Sequence, residues 1–507
     1  MPACVAVGYI RVTRREVRIL TGRFYDSVKL LRVSERLQGL PGVISASAMM
    51  ASPMNIELLA TEGFAVQLGD AVRAEDVVVA LDLAGDTDPE AVLRELELLL
   101  APITQASGPE RAPRTIEAAL NILSDPGDTI AVIAVAGEYA AAEAWVALHH
   151  DLDVFLFSDN VPVEAEIRLK RFAAAAGRLV MGPDCGTSII DGIGYGFANH
   201  VRPGSVGLTG GSGTGIQQVS CLIDSFGQGV AAAIGAGSRD LSAEVDGIMT
   251  MAAIDRLAAM DEVRIIGLVS KAGSPEVAHR VLEKLAVCGK PAVACLLGPG
   301  AQSVAGVATA ATLEAAAAIL VGRDAPVWDA EPSITSPQLT AVSSDTRPKR
   351  RLVGLYCGGT LCLEAQLLSS RVGAISTRLV DVGADEYTRG RAHPMIDSRL
   401  RAAMIAEAGH DADVLLLDVI LGELADADPA GAVIGPLADA AAHALDRGVR
   451  LQVFAALIGV EGDPQGFTDQ LGKLREAGVN VSRSNAEATR LAITAAVGEA
   501  AAGMVGE

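Results

Sequence analysis

Gly207-Leu208-Thr209-Gly210-Gly211-Ser212-Gly213-Thr214-Gly215 lies between Gly204-Ser205-Val206, which reads as the start of a buried strand, and Ile216–Ile223, which reads as a helix. A strand, a glycine-rich loop and a helix in that order aim unpaired backbone N–H groups and a positive dipole end at an anion. Glycine admits close approach of phosphate oxygens and tolerates positive φ. The lysine of a P-loop is absent, so this is not a nucleotide-binding loop of that type. The working expectation is a phosphate or carboxylate cradle built from Gly211, Ser212, Gly213, Thr214 and Gly215; the competing account is a tight strand-to-helix turn without a ligand.

Strand–helix alternation runs on both sides of the loop and predicts parallel sheets with ligands at the carboxyl ends of their strands. Residues 115–202 read as a Rossmann-like unit whose strand tips carry Glu138, Asn160, Asp184 and Cys185. Residues 203–325 read as a second, flavodoxin-like unit, in which Arg239 and Lys271 are the candidate cations beside the cradle. Residues 351–507 read as a third unit of the same kind, opening on Cys357-Gly358-Gly359-Thr360, which repeats the strand–glycine loop–helix design. Later in that unit, Arg389, Arg391 and His393 place two guanidiniums and an imidazole within five residues, a combination suited to a phosphate or carboxylate. An exposed charged loop paired with nearby acids is the alternative there. Residues 1–102 form a small α/β domain with a possible ferredoxin-like arrangement and an unusually basic stretch, Arg11, Arg14, Arg15 and Arg18, which a solvated strand face also explains. Proline-containing polar stretches around 101–114 and 324–351 read as linkers.

The 507 residues are half hydrophobic but only 3% aromatic, with 53 glycines, so small aliphatic residues must build a layered α/β core. A net charge of −21 argues against nucleic acid and against an anionic membrane as partners. Seven scattered cysteines without a CxxC pair suit reduced thiols, and no long uncharged apolar run or signal pattern is seen; the expectation is a soluble, cytoplasmic protein. No His/Cys/Asp spacing suggests a metal site.

Gly182-Pro183-Asp184-Cys185-Gly186, the Gly207–Gly215 loop and Gly235–Asp240 resemble the α subunit of succinyl-CoA synthetase. Cys357–Thr360, Leu379-Val380-Asp381-Val382-Gly383 and Leu415–Gly422 resemble the carboxyl-terminal domain of its β subunit. Over nearly the whole chain the sequence is similar to the FdrA family, through Tyr25-Asp26-Ser27-Val28, Val135–Ala140, Phe157–Asn160, Met181–Ser188 and Gly390–Asp397. The synthetase relays phosphate through a histidine in a Gly-His-Ala-Gly loop; the corresponding stretch here, Ala301–Ala308, has none, and no nucleotide-grasp domain is recognisable.

The FdrA resemblance implies a subunit of a carbamoyltransferase, exchanging a carbamoyl group between carbamoyl phosphate and a small amide such as oxamate in allantoin breakdown, together with partner subunits or as a homo-oligomer. Carbamoyl phosphate or another acyl phosphate would sit between the two helix starts, with Arg389, Arg391 or His393 polarising the carbonyl or holding the acceptor's carboxylate and Glu138, Asp184 or His393 as base. No cofactor is required on that reading. An acyl-CoA synthetase, using CoA or ATP, and a non-catalytic scaffold are the alternatives.

Overall fold

A computed structural model describes residues 13–497, apart from 24, 26, 62, 65–71, 86, 102–112, 124–128, 299–302, 324–349, 373–375 and 389–390. Arg389, Arg11 and part of the stretch compared with the phosphohistidine loop therefore lie outside the described residues. The chain divides into two compact units, residues 1–113 with 389–392, and residues 114–388 with 393–507.

In the first unit the strand Val77–Ala84 runs antiparallel to Thr13–Leu20 on one side and to Val43–Met50 on the other. Side chains alternate along it: Val77, Val79, Leu81 and Leu83 pack with Leu30, Leu37, Val92 and Leu96 of two helices, while Val78 and Ala80 face Ile56 and Leu59 of a third. A strand covered on both faces reads as an unbroken apolar run, which Val77–Leu81 is. The basic stretch is neutralised within this unit. Arg14 and Arg18 pair with Glu16 on one face of the strand, and Arg15 pairs with Asp82 on the other, so these arginines are solvated and paired with acids of their own unit.

The second unit holds three sheets. Ile130–Ile133, Asp153–Leu156 and Val180–Met181 form a small parallel sheet. A seven-stranded sheet has Pro203–Gly210 near its centre, flanked by Val230–Gly235 on one side and by Ile265–Lys271, Ala292–Leu297 and Ala308–Thr309 on the other, all parallel. The hairpin Thr187–Ile190/Ile193–Gly196 extends it antiparallel beyond Val230–Gly235, so this sheet begins upstream of residue 203. A five-stranded parallel sheet runs Ser376–Asp381, Arg351–Tyr356, Val414–Ile420, Gln452–Ile458, Asn480–Ser482.

Numbered from its own first strand, the parallel part of the large sheet and the whole of the five-stranded sheet share the flavodoxin-like order 2-1-3-4-5. Ligands of such sheets bind beyond the carboxyl ends of the strands where the order reverses, beside strand 1. Strand 1 of the large sheet ends in the Gly210–Gly215 loop, and strand 1 of the other ends in Cys357–Thr360. One continuous hydrophobic cluster joins the two, running from Leu208, Ile216 and Val219 to Tyr356, Leu361 and Ala365. That shared core brings two switch points together. No helix among the described residues is long and apolar enough to cross a membrane.

Candidate functional site

The helices that follow the two first strands, Gly213–Ser225 and Gly359–Ser370, begin against each other. Ser212 is the N-cap of the first: its backbone is extended and its Oγ accepts from the Gly215 amide at 3.0 Å. The same hydroxyl donates to Thr360 Oγ1, in the first turn of the second helix, at 2.6 Å, and both side chains are buried. Thr214 completes the contact, its Oγ1 lying 2.9 Å from where a Cβ on Gly358 would stand. Two helix starts, each with partly unsatisfied amides and a positive dipole end, therefore converge within one turn of each other.

Glycine is required at Gly210 by the backbone around it, whereas at Gly359 it leaves room for the ends of two side chains. Gly210 has φ +140°, and a Cβ there would collide with the Val269 carbonyl oxygen. At Gly359 a Cβ would overlap Asp381 Oδ2 and stand 3.2 Å from Lys271 Nζ. Lys271, at the carboxyl end of its strand, thus sets a cation at the start of the second helix, and among the described residues it makes no ion pair at 4.0 Å or less.

The backbone leading into the second helix is fixed from below. Asp418 is fully buried and accepts from the Cys357 amide at 2.8 Å and the Gly358 amide at 2.7 Å. Arg401, only 4% exposed, donates to Asp418 Oδ1 at 2.8 Å and to the Leu355 carbonyl. Burial raises the pKa of Asp418, against the Arg401 charge and the Cys357 and Gly358 amides.

His393 closes one side. Its Nε2 and the Cys357 carbonyl each lie 2.6 Å from the position of a Cβ on Gly383, and its ring sits 5.8 Å from that of Phe197. Burial, reinforced by the Arg401 charge, lowers its pKa to about 4, so the ring is neutral at pH 7. The Met395 amide donates to Nδ1, which leaves the proton on Nε2 and makes that nitrogen a donor toward the Gly383 loop.

Asp381 stands opposite, at the carboxyl end of Ser376–Asp381, with Oδ1 accepting from the Gly383 amide at 3.0 Å. Burial raises its pKa to about 6 against the opposing Lys271 charge. Asp184 adjoins the first helix through its own loop: Gly186 Cα would be 3.3 Å from a Cβ on Gly213. Although part of its surface stays open, loss of hydration raises the Asp184 pKa, against a hydrogen bond to Ser238, with Asp159 and Asp385 adding to the rise.

The structure thus gathers Gly211, Ser212, Gly213, Thr214, Gly215, Gly358, Gly359, Thr360, Lys271, His393 and Asp184 around one place. Two expectations are corrected. Arg239 is not a free cation, since its Nη2 is engaged by Glu166 at 2.8 Å and by the Val161 carbonyl, although its charge reaches Asp184. Cys185 points into the core toward the carbonyls of Thr187 and Gly235, and burial pushes its thiol up to about 11, so it offers the site neither a nucleophile nor a donor. Glu138 is exposed on the first turn of Gly137–His149, and Asn160 lies beside Gly137 at the end of the small sheet. Arg391 is exposed and groups with the N-terminal unit, whereas His393 belongs to the second. Asp381, Asp418 and Arg401 were not anticipated. For Asp381 the signal was present, because it ends a strand next to the first strand of its sheet. Arg401 lies inside a helix with nothing in the local sequence to mark it as buried.

Residues 355–495 match the CoA-ligase family, and residues 13–115 match a family described as AllF, heavy metal-associated domain. YahF of Escherichia coli (strain K12), described as an uncharacterized protein, is 35% identical over 505 residues, which cover 94% of this chain and 98% of YahF. The chain belongs to the FdrA-like family of YahF. Among solved structures, a dinucleotide-forming acetyl-coenzyme A synthetase of Ca. Korarchaeum cryptofilum is 14% identical over 76% of this chain and 86% of its own, with a TM-score of 0.32. ATP citrate lyase of Methanothrix soehngenii is 20% identical over 41% of this chain and 36% of its own, with a TM-score of 0.31. The segment matched to the heavy metal-associated domain contains neither cysteine nor histidine, and the thioethers of Met49, Met50 and Met54 are its soft donors.

Proposed function

We propose that this chain is an acyl-transferring enzyme of the CoA-ligase type, which holds the phosphate of an acyl phosphate between the starts of the Gly213–Ser225 and Gly359–Ser370 helices. The observation that carries this reading is the Ser212–Thr360 hydrogen bond, which brings two separate helix starts together and so supports a single anion site with Lys271 beside it. The CoA-ligase match over residues 355–495 supports it, since it covers the second helix and its glycine loop.

In the reaction so written, a thiolate attacks the acyl carbon, the carbon–oxygen bond to phosphorus breaks, and phosphate leaves with the bonding pair. Negative charge grows on that leaving oxygen, where fixed amide dipoles and an ammonium are worth several kcal/mol because they need no reorganisation. The Nε2–H of neutral His393 is suited to polarising the acyl carbonyl without bringing a second full charge into a buried place. CoA is the thiol that the family match favours; acting with partner subunits belongs to the same proposal.

Transfer of a carbamoyl group to oxamate is a narrower form of this reading, with carbamoyl phosphate in the same anion site and an amide nitrogen as acceptor. The CoA-ligase match favours the thiol acceptor. The test is phosphorus NMR of the purified protein with acetyl, succinyl or carbamoyl phosphate, with CoA or oxamate as acceptor. Release of phosphate with thioester formation is expected, and loss of that release in Lys271→Met. Consumption with oxamate and not with CoA would replace the thiol reading by the carbamoyl one, and no consumption with either acceptor would overturn both.

A further inference from the structure

The start of the Gly359–Ser370 helix contains a carboxylate of the protein's own. Asp381 Oδ2 and Lys271 Nζ both lie within 3.2 Å of the point where a Cβ on Gly359 would stand, yet they form no ion pair at 4.0 Å or less. They flank the first residue of the helix from two sides with a gap between them. A carboxylate at a helix start is favourable by itself, because it satisfies the dipole there. It is unfavourable once a second anion arrives, because two negative charges in a poorly hydrated place repel strongly. The surroundings do not relieve that repulsion. The charged and titratable groups facing Asp381 are Lys271, Asp418, Asp184, Cys357 and Cys362, with His393 across Gly383. Lys271 is the one cation among them, and Arg401 below is committed to Asp418.

We propose that Asp381 is a built-in counter-anion of the clamp, which takes up one proton when a ligand anion enters between it and Lys271, and then donates a hydrogen bond from Oδ2 to that anion. This deepens the acyl phosphate reading and rests on it. The proton comes from solvent onto Oδ2, no covalent bond of the ligand changes, and the proton returns to solvent when the anion leaves. Anion binding would then be linked to pH in a direction opposite to that of an unassisted phosphate site, in which deprotonation of the ligand strengthens binding. Burial that already raises the Asp381 pKa to about 6 makes the uptake feasible near neutrality.

Sulfate is the probe, because its charge stays constant over the range. Binding is measured by titration calorimetry of the full chain from pH 5 to 8, in buffers of differing ionisation enthalpy. The expected result is a sulfate affinity that is flat below about pH 6 and falls about tenfold per unit above it, with about one proton taken up per sulfate at pH 7.5. Asp381→Asn should bind sulfate with no pH dependence and, at pH 8, about a hundredfold more tightly than the unaltered protein. Lys271→Met should lose sulfate binding at every pH. Sulfate binding without proton uptake, or with the same pH slope in Asp381→Asn, would overturn the inference while leaving the clamp in place. Absence of sulfate binding at any pH, or binding unaffected by Lys271→Met, would overturn both. The proton count needs no variant, so a misfolded Asp381→Asn would not shield the proposal.

Discussion

Ser212 donates a 2.6 Å hydrogen bond to Thr360, hydroxyl to hydroxyl, across 148 residues of sequence. Ser212 also caps its own helix, so one side chain both ends a strand-to-helix turn and registers that turn against its counterpart in the other sheet. The two sheets have the same strand order, and the bond joins the N-cap of the helix after strand 1 in one to the first turn of the helix after strand 1 in the other.

If that bond couples the two helices, the single variants will not add. Ser212→Ala is expected to cost about 1–2 kcal/mol, because a cap and a buried hydroxyl partner are lost together. Thr360→Ala should cost about 1 kcal/mol, and the double variant less than the two combined by about 0.5–1.5 kcal/mol. Urea unfolding of the four proteins measures the coupling; additive costs would mean that the hydroxyls do not interact.

Gly359→Ala separates binding from folding. The added methyl meets only the ends of two side chains, Asp381 Oδ2 and Lys271 Nζ, which can swing aside. Stability should therefore change by less than about 1 kcal/mol. Sulfate affinity should fall more than tenfold, roughly 1.4 kcal/mol, since the methyl takes the anion's place. Calorimetry on a variant with unchanged melting checks it.

Two buried groups give stability a pH dependence of opposite sign. His393 has a folded pKa of about 4 and an ordinary value of 6.5, so between them the unfolded chain holds the extra proton and stability is lost as pH falls. Glu364 is raised by burial to about 7 from 4.5, so there the folded chain holds the extra proton and stability is lost as pH rises toward 7. Each effect is on the order of 3 kcal/mol if fully expressed. Between pH 4.5 and 6.5 they offset each other. Glu364→Gln should remove its share of the loss on the rising side, so that the change in stability from pH 4.5 to 7 becomes more favourable by on the order of 3 kcal/mol, as followed by denaturant midpoints. An unchanged profile would mean that Glu364 titrates alike in the folded and unfolded protein.

Lys170 is fully buried and donates to Glu166 at 2.7 Å, to Asp240 at 2.9 Å and to the Ala236 carbonyl, tying the Val163–Ala175 helix to the loop after Val230–Gly235. Lys170→Met keeps the volume but leaves Asp240 without its cation and Glu166 with Arg239 alone, and should cost about 3–5 kcal/mol. Lys170→Met combined with Asp240→Asn should recover part of that. The Gly237 carbonyl of the same loop would stand 2.8 Å from a Cβ on Gly211, so sulfate binding should weaken as well. Thermal unfolding and calorimetry on both variants decide it.

The sequence by itself determined the repeated strand–glycine loop–helix unit, because that reading needs only local periodicity and glycine at positions a side chain would block. It also determined that residues 115–507 are layered α/β, since alternating apolar strands and amphipathic helices have few other ways to bury both faces. The polarity of the site was legible too: Ser212, Thr214 and Thr360 are hydroxyls at helix starts, and Lys271 ends a strand. What only the tertiary structure decided is which charges act there. Arg239 and Cys185 look available in the chain, but one is engaged by Glu166 and the other is enclosed by carbonyls of the sheet. Asp381 and Asp418 look like ordinary strand-end acids, yet one stands at a helix start facing Lys271 and the other holds the backbone of the second loop. A side chain's charge state depends on water excluded and on partners supplied by other elements, and neither is written in the residues next to it. The pairing of Ser212 with Thr360 is of that kind, because it follows from a hydrophobic core shared by two sheets that the chain makes more than a hundred residues apart.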